Sequence, residues 1–125
     1  NNKTNLRKKL SKTAFEVTQN AETERPFTGK YFNFFEKGTY QCICCSKDLF
    51  DSDKKFKSNS GWPSFSETLN SNSLSYIKDN SYGMIRTEVR CRNCNAHLGH
   101  VFDDGPKPSF KRYCINSVAI NFKKK

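Results

Sequence analysis

The sequence predicts a mainly antiparallel β domain with short helical structure at its N-terminus. Three observations carry this. Short alternating apolar–polar segments, separated by Gly, Pro, Asn and Ser, fill the chain after Gly29. Helical spacing is found before that point, where Leu6, Leu10, Ala14 and Val17 recur every three or four residues. Two C-x-x-C pairs, Cys42–Cys45 and Cys91–Cys94, are placed to join distant turns through one metal ion.

The elements follow in order. The spacing predicts an amphipathic helix over 5–18. Thr39-Tyr40-Gln41-Cys42 reads as a strand entering a metal knuckle, and Asp48-Leu49-Phe50 leaves it. Lys54-Lys55-Phe56-Lys57 is short and strand-like. Ser60-Gly61-Trp62-Pro63-Ser64-Phe65 reads as a loop, because Gly and Pro flank the only Trp. Leu74-Ser75-Tyr76-Ile77 alternates, and so does 84–90, which runs into Cys91. The longest alternating stretch spans Arg112 to Phe122.

At 125 residues the chain is expected to form one domain, 1–125, with an N-terminal arm or helix at 1–20 and a frayed basic tail at 121–125. Its hydrophobic fraction is only 34%, and 11 Phe supply much of it. So small an aromatic core benefits from a metal staple. No run of about 18 apolar residues is present, so no membrane helix is expected. The net charge of +10 is spread along the chain rather than gathered in a stripe, which argues against a nucleic-acid partner. The chain starts at Asn1 without a Met, so an upstream segment is an open question. Reduced-cysteine chemistry points to an intracellular, cytoplasmic protein, with an organelle as the other option. A monomer is expected.

Six cysteines could also make three disulfides. The equal spacing of two C-x-x-C pairs fits metal binding better. Four thiolates suit a tetrahedral structural zinc, one per chain, held by Cys42, Cys45, Cys91 and Cys94. Cys44 competes with Cys45, but Cys45 reproduces the interval of the other pair. Arg90, Arg92 and Lys47 lie beside the ligands in sequence and would offset the charge of four thiolates.

Cys114 is then left over within Arg112-Tyr113-Cys114-Ile115-Asn116-Ser117. Strand alternation puts Arg112, Cys114 and Asn116 on one face, followed by Val118, Ile120 and Phe122. A cation beside a thiol favours the thiolate, the nucleophilic form. A buried cysteine acting as a small hydrophobe is the plainer alternative. His97 and His100, the only histidines, flank Gly99 and could deliver protons to a developing oxygen. Trp62, in its Gly-Pro loop, could hold a small apolar group such as a methyl on sulfur.

The residues Gly61-Trp62-Pro63-Ser64-Phe65, Cys91 through Pro106, and Arg112-Tyr113-Cys114-Ile115-Asn116-Ser117 closely resemble the B-type methionine sulfoxide reductases. Thr23 to Gly29, Tyr40-Gln41-Cys42, Cys45 and Leu49-Phe50 are similar too. The resemblance covers about residues 20–122. It implies two small antiparallel sheets with short N-terminal helices, stapled by a structural zinc site of four cysteines. It implies reduction of the R epimer of methionine sulfoxide in oxidised proteins, with thioredoxin or a small thiol as reductant. Carried over, Cys114 is the nucleophile that becomes a sulfenic acid. His97, His100 and Asn116 bind or protonate the oxygen. Trp62, Arg112 and Phe65 are the expected substrate-binding residues.

One departure stands out. Many members carry a resolving cysteine immediately before the Gly-Trp, where this chain has Ser60. Direct reduction of the sulfenic acid, recruitment of Cys44, and a cysteine on a preceding segment are the three routes left. A basic zinc module for nucleic acid and a zinc-bound redox sensor are the rival functions.

Overall fold

The computed structural model describes residues 10–20, 23, 25, 27, 29–32, 34–57, 60–69, 72–80, 83, 85–107 and 109–124. Within them are one α-helix and two antiparallel sheets. Helix α1 (Lys12–Asn20) is followed by strands β1 (Gly38–Cys42), β2 (Asp48–Asp51), β3 (Lys55–Phe56), β4 (Ser64–Phe65) and β5 (Leu74–Asp79). Then come β6 (Arg86–Cys91), β7 (His97–Phe102), β8 (Arg112–Ile115) and β9 (Ile120–Lys124). The small sheet has the order β2-β1-β9 and the large one β3-β4-β8-β7-β6-β5. No helix among the described residues is long and apolar enough to cross a membrane.

The described helix begins at Lys12 and runs two residues past the expected end, and residues 5–9 of the expected span lie outside the described residues. Ser11 caps it: the Ala14 amide donates to Ser11 Oγ at 3.1 Å, satisfying one of the free donors of the first turn. Ala14, Phe15, Val17 and Thr18 are buried, and the helix packs on β7 and on the 3-10 turn at 117–119. Leu6, the first residue of the expected stripe, lies outside the described residues, as does Met84 of the expected 84–90 strand.

The core lies between the sheets and is aromatic. Phe50 stacks on Phe65 at 4.4 Å, and Tyr40 meets Phe65 edge-on at 5.1 Å. Tyr31, Phe34 and Phe122 extend the cluster from the small sheet's side. Offset and edge-on pairs of this kind add roughly 0.5–1.5 kcal/mol each beyond their area.

Three expectations are corrected here. Ser64-Phe65 is not loop but strand β4, pairing with β3 and β8. The long strand 112–122 is broken: the chain makes a 3-10 turn at Ser117–Ala119 and continues as β9 in the other sheet. Ile120 and Phe122 therefore do not continue the face of Cys114; Ile120 is fully buried, and Phe122 packs on Phe34 and Tyr40. The basic tail is no frayed end, because Lys123 and Lys124 pair with Thr39 and Gly38 of β1.

Strand β7 is not among the expected elements, and it flanks the strand that carries Cys114. It runs beside β8 with His100 opposite Cys114 and Gly99 opposite Ile115. A Cβ on Gly99 would collide with the Cys114 carbonyl oxygen, so only glycine lets the two strands approach. Gly99→Ala is expected to force them apart and to destabilise the fold by about 1–3 kcal/mol, read from the urea midpoint.

Candidate functional site

Four cysteines converge where two turns meet. The sulfurs of Cys42, Cys45, Cys91 and Cys94 all lie within 4.8 Å of one another. Cys42 and Cys94 are 3.5 Å apart, as are Cys45 and Cys91. A tetrahedral ion with bonds of about 2.3 Å sets its sulfurs about 3.8 Å apart, so the cluster fits such an ion. The two knuckles have the same build. Ser46 and Asn95, each just after a pair, adopt φ of 65°. Their amides donate to the Cys42 and Cys91 carbonyls at 2.9 and 2.7 Å. The Cys42 and Cys91 amides in turn donate to the Lys47 and Ala96 carbonyls, at 2.9 Å in both knuckles. Hydrogen bonding among the crowded thiols pushes Cys91 below the ordinary thiol range and Cys42 and Cys94 above it.

One knuckle joins β1 to β2 in the small sheet; the other joins β6 to β7 in the large one. An ion held by these four sulfurs would clip sheet to sheet. Cys44 stands outside the four-sulfur set, half-buried, with Gln19 Nε2 at 3.6 Å from its sulfur. Arg90, expected to offset the thiolates, donates to Glu88 at 2.7 Å.

The second site is a cleft of about 190 Å³ lined by Ser60, Trp62, His100, Arg112, Cys114 and Asn116 among others. Cys114 lies on β8 between β4 and β7, paired with Ser64 on one side and His100 on the other. Its sulfur is 3.7 Å from Ser60 Oγ. The loop that carries Ser60 and Trp62 is tied down: Ile115 donates to the Pro63 carbonyl at 2.9 Å, and Phe27 to that of Gly61 at 2.7 Å. Trp62 donates its backbone amide to Ser60 Oγ at 3.3 Å.

Each charged group around the cleft is held. Arg112 makes a two-pronged pair with Asp104 at 2.8 and 3.2 Å, and its guanidinium lies 4.5 Å over the Phe102 ring. The Asp104 bond raises the Arg112 pKa above its already high ordinary value, and Arg112 lowers that of Asp104. Asn116 is buried and donates its side-chain amide to the Leu98 carbonyl at 3.0 Å. His100 Nε2 lies 2.9 Å from Asp79 Oδ2, which also receives Arg86 at 3.3 Å. His97 is buried behind His100, ring to ring at 5.6 Å, with Nδ1 2.7 Å from Glu88 Oε2. Burial holds His97 below the ordinary histidine range, outweighing the Glu88 hydrogen bond. Burial would raise Glu88, but hydrogen bonds from Arg90 and His97 bring it below the usual carboxylate range. A neutral His97 donating to an ionised Glu88 satisfies both directions.

Of the residues singled out in the sequence, Cys114, Trp62, Arg112, His100 and Asn116 share one cleft. His97 stands one layer behind it. Phe65 does not belong there: it is fully buried and stacks on Phe50 in the core, because its side of β4 faces the small sheet. Asp79, Arg86, Glu88 and Asp104 went unrecognised. Acidic residues inside alternating segments, as in 84–90, were the available signal, since a carboxylate on a buried strand face needs a partner.

The family model described as the SelR domain matches residues 10–124. The peptide methionine sulfoxide reductase MsrB of Thioalkalivibrio sulfidiphilus is 54% identical over 118 residues, 94% of this chain and 86% of that protein. Methionine-R-sulfoxide reductase B1 of Drosophila melanogaster is 51% identical over 133 residues, 97% of this chain and 64% of that protein. Among solved structures, the Mis18 'Yippee-like' domain matches with a TM-score of 0.57 at 18% identity, covering 72% of this chain and 98% of that one. That likeness is one of fold.

Proposed function

Given that the chain belongs to the methionine-R-sulfoxide reductase B family, we propose that Cys114 carries the reaction of that family in the cleft described above. The enzyme is an oxidoreductase that reduces the R epimer of methionine sulfoxide back to methionine. The observation that carries the assignment is the cleft itself. It brings one thiol outside the metal cluster together with a lone Trp, a histidine and a fixed guanidinium.

In this reading the Cys114 thiolate attacks the sulfoxide sulfur. The oxygen passes to Cys114, one proton is taken up, and methionine leaves; Cys114 is now a sulfenic acid. Arg112, pinned by Asp104, favours the thiolate and fixes its surroundings. The proton reaches the oxygen through a water held by His100, with His97 behind it, and Asn116 orients the strand end beside it. Trp62 packs on the substrate methyl. Two equivalents of thiol then return Cys114 to the thiol, releasing water and a disulfide. Thioredoxin or a small thiol is the reductant, and oxidised proteins are the substrates.

The ion in the four-cysteine cluster is zinc, one per chain, acting as a staple and taking no part in the chemistry. The family match over residues 10–124 supports a single domain. The rival reading as a basic nucleic-acid module is not favoured: Arg86, Arg90 and Arg112 around the large sheet are each paired with a carboxylate. An assay of the separate R and S epimers, with dithiothreitol and with thioredoxin, tests the function. Turnover of R alone is expected; turnover of S alone, or of neither, refutes it.

Direct reduction of the sulfenic acid is the proposed regeneration route. Ser60 supports it, since a hydroxyl stands 3.7 Å from the Cys114 sulfur and cannot form a disulfide. Cys44 is engaged with Gln19 on the metal side. Ser60→Cys is therefore expected to produce one water and a disulfide from the introduced thiol to Cys114 after a single turnover. Peptide mass mapping reads it, and a Cys44–Cys114 disulfide in the unaltered protein would refute direct reduction.

A further inference from the structure

Both histidines meet a carboxylate through one ring nitrogen, and an arginine holds each carboxylate. Asp79 Oδ2 lies 2.9 Å from His100 Nε2 and 3.3 Å from Arg86 Nη2. Glu88 Oε2 lies 2.7 Å from both His97 Nδ1 and Arg90 Nε. The nitrogens used are different ones. An ionised carboxylate accepts hydrogen bonds and cannot donate, so the ring nitrogen that faces it carries the proton. We propose that Asp79 and Glu88 are positioning residues that hold the two histidines in opposite tautomers, His100 protonated on Nε2 and His97 on Nδ1. The nitrogens left for the oxygen chemistry are then Nδ1 of His100 and Nε2 of His97.

A second observation points the same way. His97 Nε2 is buried and has no hydrogen-bond partner among the described residues. A buried polar atom without a partner is rare in a folded protein and marks a place where something else binds. With Nδ1 protonated toward Glu88, Nε2 of the neutral ring is an acceptor, and its partner must be a donor. A water fits, and so does the hydroxyl formed as the sulfoxide oxygen takes up protons. The two rings touch edge-on at 5.6 Å, so His97 backs directly on His100.

The two carboxylates come from β5 and β6 and not from β7. Asp79 ends β5, opposite Arg86, and Glu88 lies on β6, opposite His100. Sheet register therefore sets the ring orientations before any substrate arrives. Second partners of this kind fix tautomer and orientation in other histidine sites.

The consequence for catalysis rests on the reaction proposed above, but the tautomers do not. The full chain, labelled with 15N at histidine, carries only two imidazoles. Ring 15N–1H correlation spectra are expected to show one proton on Nε2 and the other on Nδ1, with His100→Gln removing the Nε2-protonated set. Two histidines in the same tautomer would overturn the proposal, and Glu88→Gln should leave His97 no longer held as Nδ1–H. Kinetics give the second readout. Asp79→Asn is expected to lower kcat about tenfold or more while KM stays within about twofold, because the loss falls on proton delivery and not on binding. Asp79→Glu should recover part of it. Wild-type kcat in Asp79→Asn, or a loss confined to KM, would overturn the positioning role. If Asp79→Asn does not fold, the spectra of the unaltered protein decide. Opposite tautomers in a protein that reduces neither epimer would uphold this inference and sink the reaction instead.

Discussion

Cys114→Ser is expected to remove reduction of methionine R-sulfoxide by at least about 10³-fold, while the protein stays folded and keeps its metal. A hydroxyl at this position is a far poorer nucleophile than a thiolate, and nothing else in the cleft replaces it. The substitution is otherwise mild. Cys114 is half-buried, its backbone is paired on both sides by β4 and β7, and Ser60 Oγ can hydrogen-bond a serine there. The four sulfurs of the metal cluster belong to other residues. Steady-state kinetics, a melting curve and metal content together check this. An unfolded variant would say that Cys114 is a packing residue, and an active one that the nucleophile lies elsewhere.

Stripping the metal should have the opposite signature. Structural zinc sites have apparent binding free energies of about 10–16 kcal/mol, as large as the whole stability of a typical domain, about 5–15 kcal/mol. Here the site joins the β1–β2 turn of one sheet to the β6–β7 turn of the other, and 45 residues separate the pairs. The core beneath is small and leans on a few aromatic contacts. Chelation, or Cys91→Ser, is therefore expected to lower Tm by well over about 10 °C or to abolish cooperative unfolding. Cys44→Ser, outside the cluster, should leave Tm and metal content as they are. Calorimetry with and without a strong chelator reads the first effect. A metal-free protein that melts like the native one would show that the four cysteines hold no structural ion.

The two outcomes separate what the six cysteines do, and much of that was legible from spacing alone. Equal C-x-x-C intervals place four sulfurs on two like turns, and the paired φ of 65° at Ser46 and Asn95 is the backbone form of that likeness. Alternation around Cys114 put Arg112 and Cys114 on one face, and both line the cleft with Asn116. Alternation failed at 117, because period-two patterning says nothing about whether a segment stays in one sheet. The 3-10 turn at Ser117–Ala119 carries the chain across, so Ile120 and Phe122 bury in a different sheet under the same pattern.

Strand β7 escaped notice because its polar residues, His97 and His100, sit three apart and break strict alternation, while Gly99 reads as a turn. In the structure Gly99 is the residue that admits β8. Phe65 departs for a related reason: a motif places it three residues from Trp62, but neighbouring side chains on β4 point to opposite faces, and Phe65 takes the core side. The carboxylates behind the histidines were hidden for a third reason. Asp79 and Glu88 meet His100 and His97 only through the register of β5, β6 and β7, which no local pattern specifies.

The most direct test of the account is a single turnover. One equivalent of methionine R-sulfoxide is added to the reduced protein without external thiol, and the products are read by mass spectrometry with a sulfenic-acid trapping reagent present. The expected result is one equivalent of methionine, one trapped adduct on Cys114 and no new disulfide; the S epimer should give neither product. Methionine formed with Cys114 still a free thiol, or with the adduct on Cys44, would contradict the account.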